Sequence, residues 1–181
     1  GPRALAVAGR VADGVIIQLA DPVIIQWLME HARAAAVEAG RDPDELECLV
    51  CAPSIVTDDL QEARDAVRWF PAMVSNHVMD LIERYGEDSE IPHELTDYVK
   101  ARKFYDYKDH SREGAAHGEF VTDEIADRFS VIGSADAVTA KLQELESIGV
   151  DQFNIYLMTH GQEDILEAYG DTIMPAVRQA A

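Results

Sequence analysis

The chain has 181 residues, 48% of them hydrophobic, which supports one domain with a real core and excludes both general disorder and two large domains. Its 34 Asp and Glu against 15 Lys and Arg give a formal charge of −19, which excludes the clustered basic surface that nucleic acid or an anionic membrane requires. No apolar run reaches the roughly 20 residues of a membrane span and no signal-peptide pattern opens the chain, so a cytoplasmic protein is expected.

Residues 1–13 read as a helix, with Gly1-Pro2 supplying a tight entry and proline at the first helical position. Free N–H groups at such an entry, aided by the helix dipole, make a ready anion site. A short buried strand, Gly14–Leu19, follows at once. Asp21 then caps a second helix with Pro22 at its first position; Ile25, Leu28, Met29, Ala32, Ala36 and Ala39 recur at helical spacing, and Gly40 ends it. Leu46–Ala52 is a second strand, closed by Pro53. Asp58 and Gln61 are spaced as a capping box for a helix carrying Ala63, Val67 and Phe70. Pro71 is expected to break it, with a further helix over 72–85.

From about 86 to 128 the pattern changes to an insertion. It comprises an acidic loop (Glu87-Asp88-Ser89-Glu90), a polar Tyr- and Lys-rich helix over His93–Asp109, and a loose connector at Gly114–Gly118. A lid over a site and a solvated excursion are both open readings. Regularity returns at Phe129–Ser134. Ser134 caps a helix with Val138, Leu142, Leu145 and Ile148 on one face, stopped by Gly149. Gln152–Met158 is a third strand. The last helix, Glu163 to Gln179, contains Gly170 and Pro175, so a bend is expected. The alternation predicts an α/β fold with three parallel strands whose C-terminal ends share one face.

Cys48 and Cys51 form a Cys-x-x-Cys within an apolar strand. There, positions three apart point to opposite faces, so structural buried thiols are the reading and no metal site is expected. The histidines carry no metal signature: His31 lies in a helix, His77, His93, His110 and His117 are scattered, and His160 follows the last strand. Asp13 precedes the first strand at its N-terminal end and is read as closing a turn.

Three stretches carry a family resemblance over nearly the whole chain apart from the insertion. They are the opening Gly1-Pro2-Arg3-x-Leu5-x-x-Ala8-Gly9-x-x-Ala12-Asp13-Gly14, the helix entry Ile132-Gly133-Ser134, and the ending Ile173-Met174-Pro175-Ala176-Val177-Arg178. Together they resemble the luciferase-like monooxygenase superfamily, and within it the deazaflavin-dependent members similar to methylenetetrahydromethanopterin reductase. Gly-Pro is also left behind by tag removal, but the residues after it continue the pattern without interruption.

The resemblance implies the C-terminal portion of a (β/α)8 TIM barrel with a helical insertion. It also implies an oxidoreductase transferring hydride between coenzyme F420 or FMN and a small organic substrate. In the superfamily the opening segment is the fifth helix and sixth strand, and its first turn holds the coenzyme phosphate. Gly1 and Pro2 then become the phosphate turn and Arg3 its charge partner, with a purely structural turn and a solvated arginine as the alternatives. Gln18, at a strand end, would reach the ring system or phosphate, with a satisfied polar group at the strand end as the alternative. Cys51, Pro53 and Ser54 lie at the next strand's mouth as weaker candidates, and Asn76-His77 would contact substrate if the insertion covers the mouth. The catalytic residues are not identifiable.

A complete barrel needs about 250 residues, so the first five strands are expected to be missing from this chain. Two exposed sheet edges would favour a homo-oligomer or binding of the missing N-terminal half. Two other readings stay open. One is a non-catalytic half-barrel module used for oligomer or protein contacts; the other is a small doubly wound regulatory domain.

Overall fold

The computed structural model describes residues 1–85, 92–109, 112, 114 and 116–180. Helix α1 (Pro2–Val11) leads into β1 (Gly14–Ile17), α2 (Pro22–Glu38) and β2 (Glu47–Val56). Helices α3 (Leu60–Val67), α4 (Trp69–Tyr85), α5 (His93–Thr96) and α6 (Asp123–Phe129) follow. Then come β3 (Val131–Gly133), α7 (Ala135–Ser147), β4 (Gln152–Tyr156), α8 (Gln162–Ala168) and α9 (Met174–Ala180).

Strand β2 is the hub of a parallel sheet, pairing with β1, β3 and β4. Glu47 N–H donates to Asp13 O and Thr57 N–H donates to Gly133 O, so odd-numbered residues of β2 address one edge. Strands β1 and β3 occupy that edge in succession, and Ala20 N–H donating to Phe129 O at 3.0 Å marks the handover. The other edge belongs to β4.

The three expected strands are present and parallel, and β3 is a fourth that three residues are too few to announce by alternation. Nor does Pro53 end β2, which continues to Val56. Its missing N–H falls on the shared edge, between the last β1 pairing at Val50 and the first β3 pairing at Ser54. No ladder bond is lost there.

Helices cover one face of this sheet. Cys48, Val50, Ala52 and Ser54 of β2 point into a core with Ile24, Ile25, Trp69, Phe70 and Phe129. Ser54 Oγ donates to Val131 O (2.8 Å) and lies 2.8 Å from the Tyr169 hydroxyl. Burial pushes the Tyr169 phenol up to about 12, with the Ser54 hydrogen bond opposing it. Helix α1 lies so close to α2 that a side chain at Gly9 would meet Ala32 O. At the start of α2, Asp21 caps as expected: its Oδ1 accepts from Ile24 N–H at 3.0 Å. Gly40 (φ 74°) and Gly149 (φ 89°) close α2 and α7 in the left-handed conformation that glycine adopts without steric cost.

Several boundaries differ from expectation, each for a local reason. The cap of α3 is Asp59, whose Oδ1 accepts from Glu62 N–H, rather than Asp58. The break falls at Arg68 rather than Pro71; Pro71 sits in the first turn of α4, where an N–H needs no helical partner. The expected helix over 93–109 is not continuous. Leu95, Tyr98 and Val99 sink into the core through α5 and a 3-10 turn (Asp97–Ala101). Arg102 then leaves helical geometry and reaches Ser75 O and Asn76 Oδ1. Tyr98 donates to Pro71 O at 3.1 Å and packs on Phe120 and Phe129, so this stretch is no solvated excursion. The bend in the last helix takes the form of a π turn, Tyr169–Ile173, between α8 and α9. Glu87–Glu90 and His110 lie outside the described residues, as does the side chain of His117.

A cation–carboxylate cluster ties α3 to α6. Arg64 grips Asp127 with two hydrogen bonds (2.8 and 2.6 Å), and Arg68 bonds Asp65 and Asp123. The Arg68 hydrogen bond, aided by the charges of Arg68 and Arg64, holds the Asp123 carboxyl below the usual carboxylate range. A lowered folded-state value stabilises above the ordinary carboxylate pKa, and that contribution is lost as pH falls through the folded value. Comparing melting temperatures of the wild type and Arg68→Met between about pH 7 and about pH 3 should show a gap that closes on acidification.

Candidate active site at the strand ends

The second face of the sheet is open toward its lower part, while Phe70 of α4 packs on it at Tyr156 and Pro53 is buried. Ile16 on β1 is 65% exposed, and register places it beside Leu49. The same alternation puts Gln18, Cys51, Pro53, Gln152, Asn154 and Tyr156 on this face, with Cys51 beside Asn154 and Pro53 beside Tyr156. None of these side chains carries a charge. At the C-terminal ends of the strands, Gln18 Nε2 donates to the Tyr156 hydroxyl at 2.5 Å across β2. Phe70, fully buried at the start of α4, meets the Tyr156 ring edge-on at 5.8 Å and fixes its plane. Lower on the wall, Gln152 and Asn154 bond each other at 2.5 Å.

Helix α1 lies along α2, with Gly9 against Ala32 and Ala36, so its first turn lies toward the start of α2, the end of the sheet that carries Gln18 and Tyr156. Gly1 O accepts from Ala4 and Leu5 N–H (3.0 and 3.1 Å). Pro2 has no N–H to offer, which leaves the Arg3 N–H pointing out of the helix with no acceptor inside it. The Arg3 side chain is exposed. Asp80 and Arg84, near the end of α4, lie close enough to act electrostatically on the Gly1 nitrogen. The structure thus gathers Gly1, Pro2, Arg3 and Gln18 at one end of the sheet and adds Arg84 and Tyr156.

The other candidates divide. Cys51 and Pro53 belong to the uncharged wall. Ser54 faces the helices, is fully buried, and is engaged by Val131 and Tyr169, so it is removed from the site. Asn76 accepts from Arg102 at 2.6 Å and serves the insertion's packing, while His77 is exposed. His160 lines a separate cavity of about 190 Å³ with Thr57 and Asp164, its Nε2 3.4 Å from Glu62 Oε1. Asp13 O accepts from Glu47 N–H at the opposite end of the sheet, consistent with a turn-closing role. Tyr156 was legible in principle, since it shares the parity of Gln152 and Asn154 on the third expected strand. Arg84 had no sequence signal, because its proximity to Gly1 depends on how α4 returns across the molecule.

The two thiols also separate by face. Cys48 is buried, and desolvation pushes its thiol up to about 11. Cys51 is half-buried on the open wall rather than in the core, because its side of the sheet is open there. Alkylation of the native chain near neutral pH should therefore modify one thiol, at Cys51. Peptide mapping that finds Cys48 equally modified would contradict this assignment of faces.

Residues 1–152 match the family described as luciferase-like monooxygenase. The chain belongs to this family. Among curated relatives of the luciferase-like chain, 5,10-methylenetetrahydromethanopterin reductase of Methanolobus tindarius is 31% identical over 153 residues. That match covers 84% of this chain and 44% of the relative. The enzyme of the same name from Methanopyrus kandleri is 26% identical over 181 residues, covering 99% and 49%.

In structure, the chain superposes on the coenzyme F420-dependent tetrahydromethanopterin reductase of Methanopyrus kandleri with a TM-score of 0.68. Identity is 24%, and 97% of this chain and 48% of the other are covered. An F420-dependent secondary alcohol dehydrogenase solved with an F420-acetone adduct gives a TM-score of 0.70 at 19% identity, covering 98% and 47%. These are TIM-barrel proteins, and the likeness establishes the fold. The luciferase-like chain spans about half the length of the relatives it matches. No helix among the described residues is long and apolar enough to cross a membrane.

Proposed function

We propose that this chain forms the C-terminal part of a cytoplasmic, F420- or FMN-dependent oxidoreductase barrel acting on a small organic substrate. The observation that carries the reading is the open sheet face, uncharged above Glu47, with Gln18 and Tyr156 at the same end as the open first turn of α1. An open strand face is what a barrel interior looks like when the rest of the wall is contributed by other residues, and in barrels the strand C-termini form the catalytic end.

The residues present fit a phosphorylated, ring-bearing coenzyme. The Arg3 N–H and the nitrogen of Gly1 would meet its phosphate, with Pro2 shaping the turn and Arg3 supplying positive charge, while Arg84 nearby is paired with Asp80 at 2.9 Å. Gln18 and the wall around Cys51 would lie along the ring. Bound there, a deazaflavin or flavin supplies the hydride chemistry. This chain's residues bind it, orient it and, together with the other part of the barrel, exclude water. A self-associating half-barrel without catalysis is the second reading, favoured by the outer edges of β1 and β4, which pair with no further strand among the described residues.

Titrating the assembled barrel with F420 and with FMN, followed by absorbance or calorimetry, tests the reading. Arg3→Ala should weaken binding about threefold, since one screened charge near a helix terminus contributes roughly 0.3–1 kcal/mol. Gly1→Leu, which crowds the turn itself, should weaken it about tenfold or more, equivalent to roughly 1.4 kcal/mol. Absence of binding by either coenzyme would defeat the enzyme reading.

A further inference from the structure

We infer that the carboxamide of Gln18, held in place by Tyr156, reads the edge of a cyclic amide, a ring N–H next to a ring C=O. This rests on reading the open strand face as the interior of an oxidoreductase barrel. Gln152 and Asn154 bond each other lower on the wall, whereas Gln18 is the carboxamide at the strand ends, where it bonds Tyr156.

Tyr156 takes one hydrogen-bonding position of that carboxamide at 2.5 Å, and its own ring is fixed edge-on by Phe70. With Tyr156 on the N–H that points away from the carbonyl, the other N–H and the C=O remain for a ligand. Those two groups sit side by side and match a partner bidentately. A trans secondary amide cannot be that partner, because its N–H and C=O point in opposite directions; among the groups that can, a ring-bearing coenzyme or heterocyclic substrate offers a cyclic one. A lactam or imide places both on one edge. The wall around the pair is uncharged, which suits such a neutral edge and disfavours an ionised group at the same spot. Two sources share this chemistry, the pyrimidine-type ring of the coenzyme and a lactam-bearing heterocyclic substrate. Gln18 makes the contact, and Tyr156 is a positioning residue that acts through it.

The test uses rings without phosphate, so that the first turn of α1 contributes nothing. Lumiflavin and 3-methyllumiflavin represent the coenzyme ring with and without its edge N–H; 6-methylpterin and its 3-methyl derivative represent a substrate lactam. Binding of each to the assembled barrel is read by ligand fluorescence. The expected result is that one of the two pairs shows about tenfold preference for the unmethylated ring, a difference of about 1.4 kcal/mol. Which pair does so identifies the source. Gln18→Leu should abolish the preference. Tyr156→Phe, which keeps the ring packing on Phe70, should reduce it severalfold while leaving the affinity for the methylated ring unchanged, a split that general loosening of the fold would not produce. Equal binding of methylated and unmethylated rings in both pairs would overturn the inference, even where F420 or FMN still binds. Conversely, failure of F420 and FMN to bind would overturn the proposed coenzyme and leave the ring preference to decide this inference separately.

Discussion

Replacing Arg128 by alanine is expected to cost about 3–5 kcal/mol of stability. Asp21 is fully buried, and its two oxygens have separate duties. Oδ1 accepts from Ile24 N–H and caps α2, while Oδ2 accepts from Arg128 Nε at 2.5 Å. Without the guanidinium, a carboxylate stays in the core with its cap bond alone, and burial of an uncompensated charge is costly. The loss should be much smaller in the double variant Asp21→Asn with Arg128→Leu, because the charge is removed together with its partner and the asparagine still caps. Urea denaturation of the three variants measures this directly. A single-variant loss below about 1 kcal/mol, the range of exposed pairs, would show that the pair is solvated rather than buried. The contact also pins the segment between Gln18 and α2 to α6.

Gly9→Ala is expected to destabilise the chain by about 2 kcal/mol, although alanine is the better helix former. Propensity alone would gain about 1 kcal/mol. Against it, the new Cβ would stand 2.0 Å from Ala32 O, 2.9 Å from Ala36 N and 3.0 Å from Ala32 C. All three are backbone atoms, so no side chain can swing aside and the helices must separate. Overpacking of this kind costs about 1–3 kcal/mol and sometimes more, and an overlap this deep belongs at the upper end. The melting temperature should fall by about 4–8 °C for a chain of this size. Gly9→Val should fall further, and an unchanged or raised melting temperature for Gly9→Ala would contradict the observed α1–α2 crossing.

What the sequence revealed followed the range of each signal. Strands β1, β2 and β4 were legible because buried parallel strands read as apolar runs, and the caps at Asp21 and Ser134 because a side chain bonds three residues ahead. Strand β3, with three residues, carries no period to detect. The pairing of Asp21 with Arg128 spans 107 residues, beyond any local rule. Gly9 resembles any helical glycine until α2 is placed against it. At the candidate site, Gly1, Pro2, Arg3 and Gln18 are proposed from motif and strand-end position alone. Ser54 was misplaced because β2 runs past Pro53 and turns that hydroxyl toward the helices. Tyr156 and Arg84 become visible once register and the return of α4 are known.

If the open face of the sheet is the inner wall of a barrel that holds a coenzyme, Cys51 reports on it from within. Its alkylation rate should be measured in this chain alone, after assembly with the rest of the barrel, and after assembly with F420 or FMN added, using unreactive Cys48 as the internal control. The expected result is rapid reaction in the chain alone, at least tenfold slower reaction on assembly, and further protection when coenzyme is added. A Cys51 rate that neither assembly nor coenzyme changes would contradict this reading.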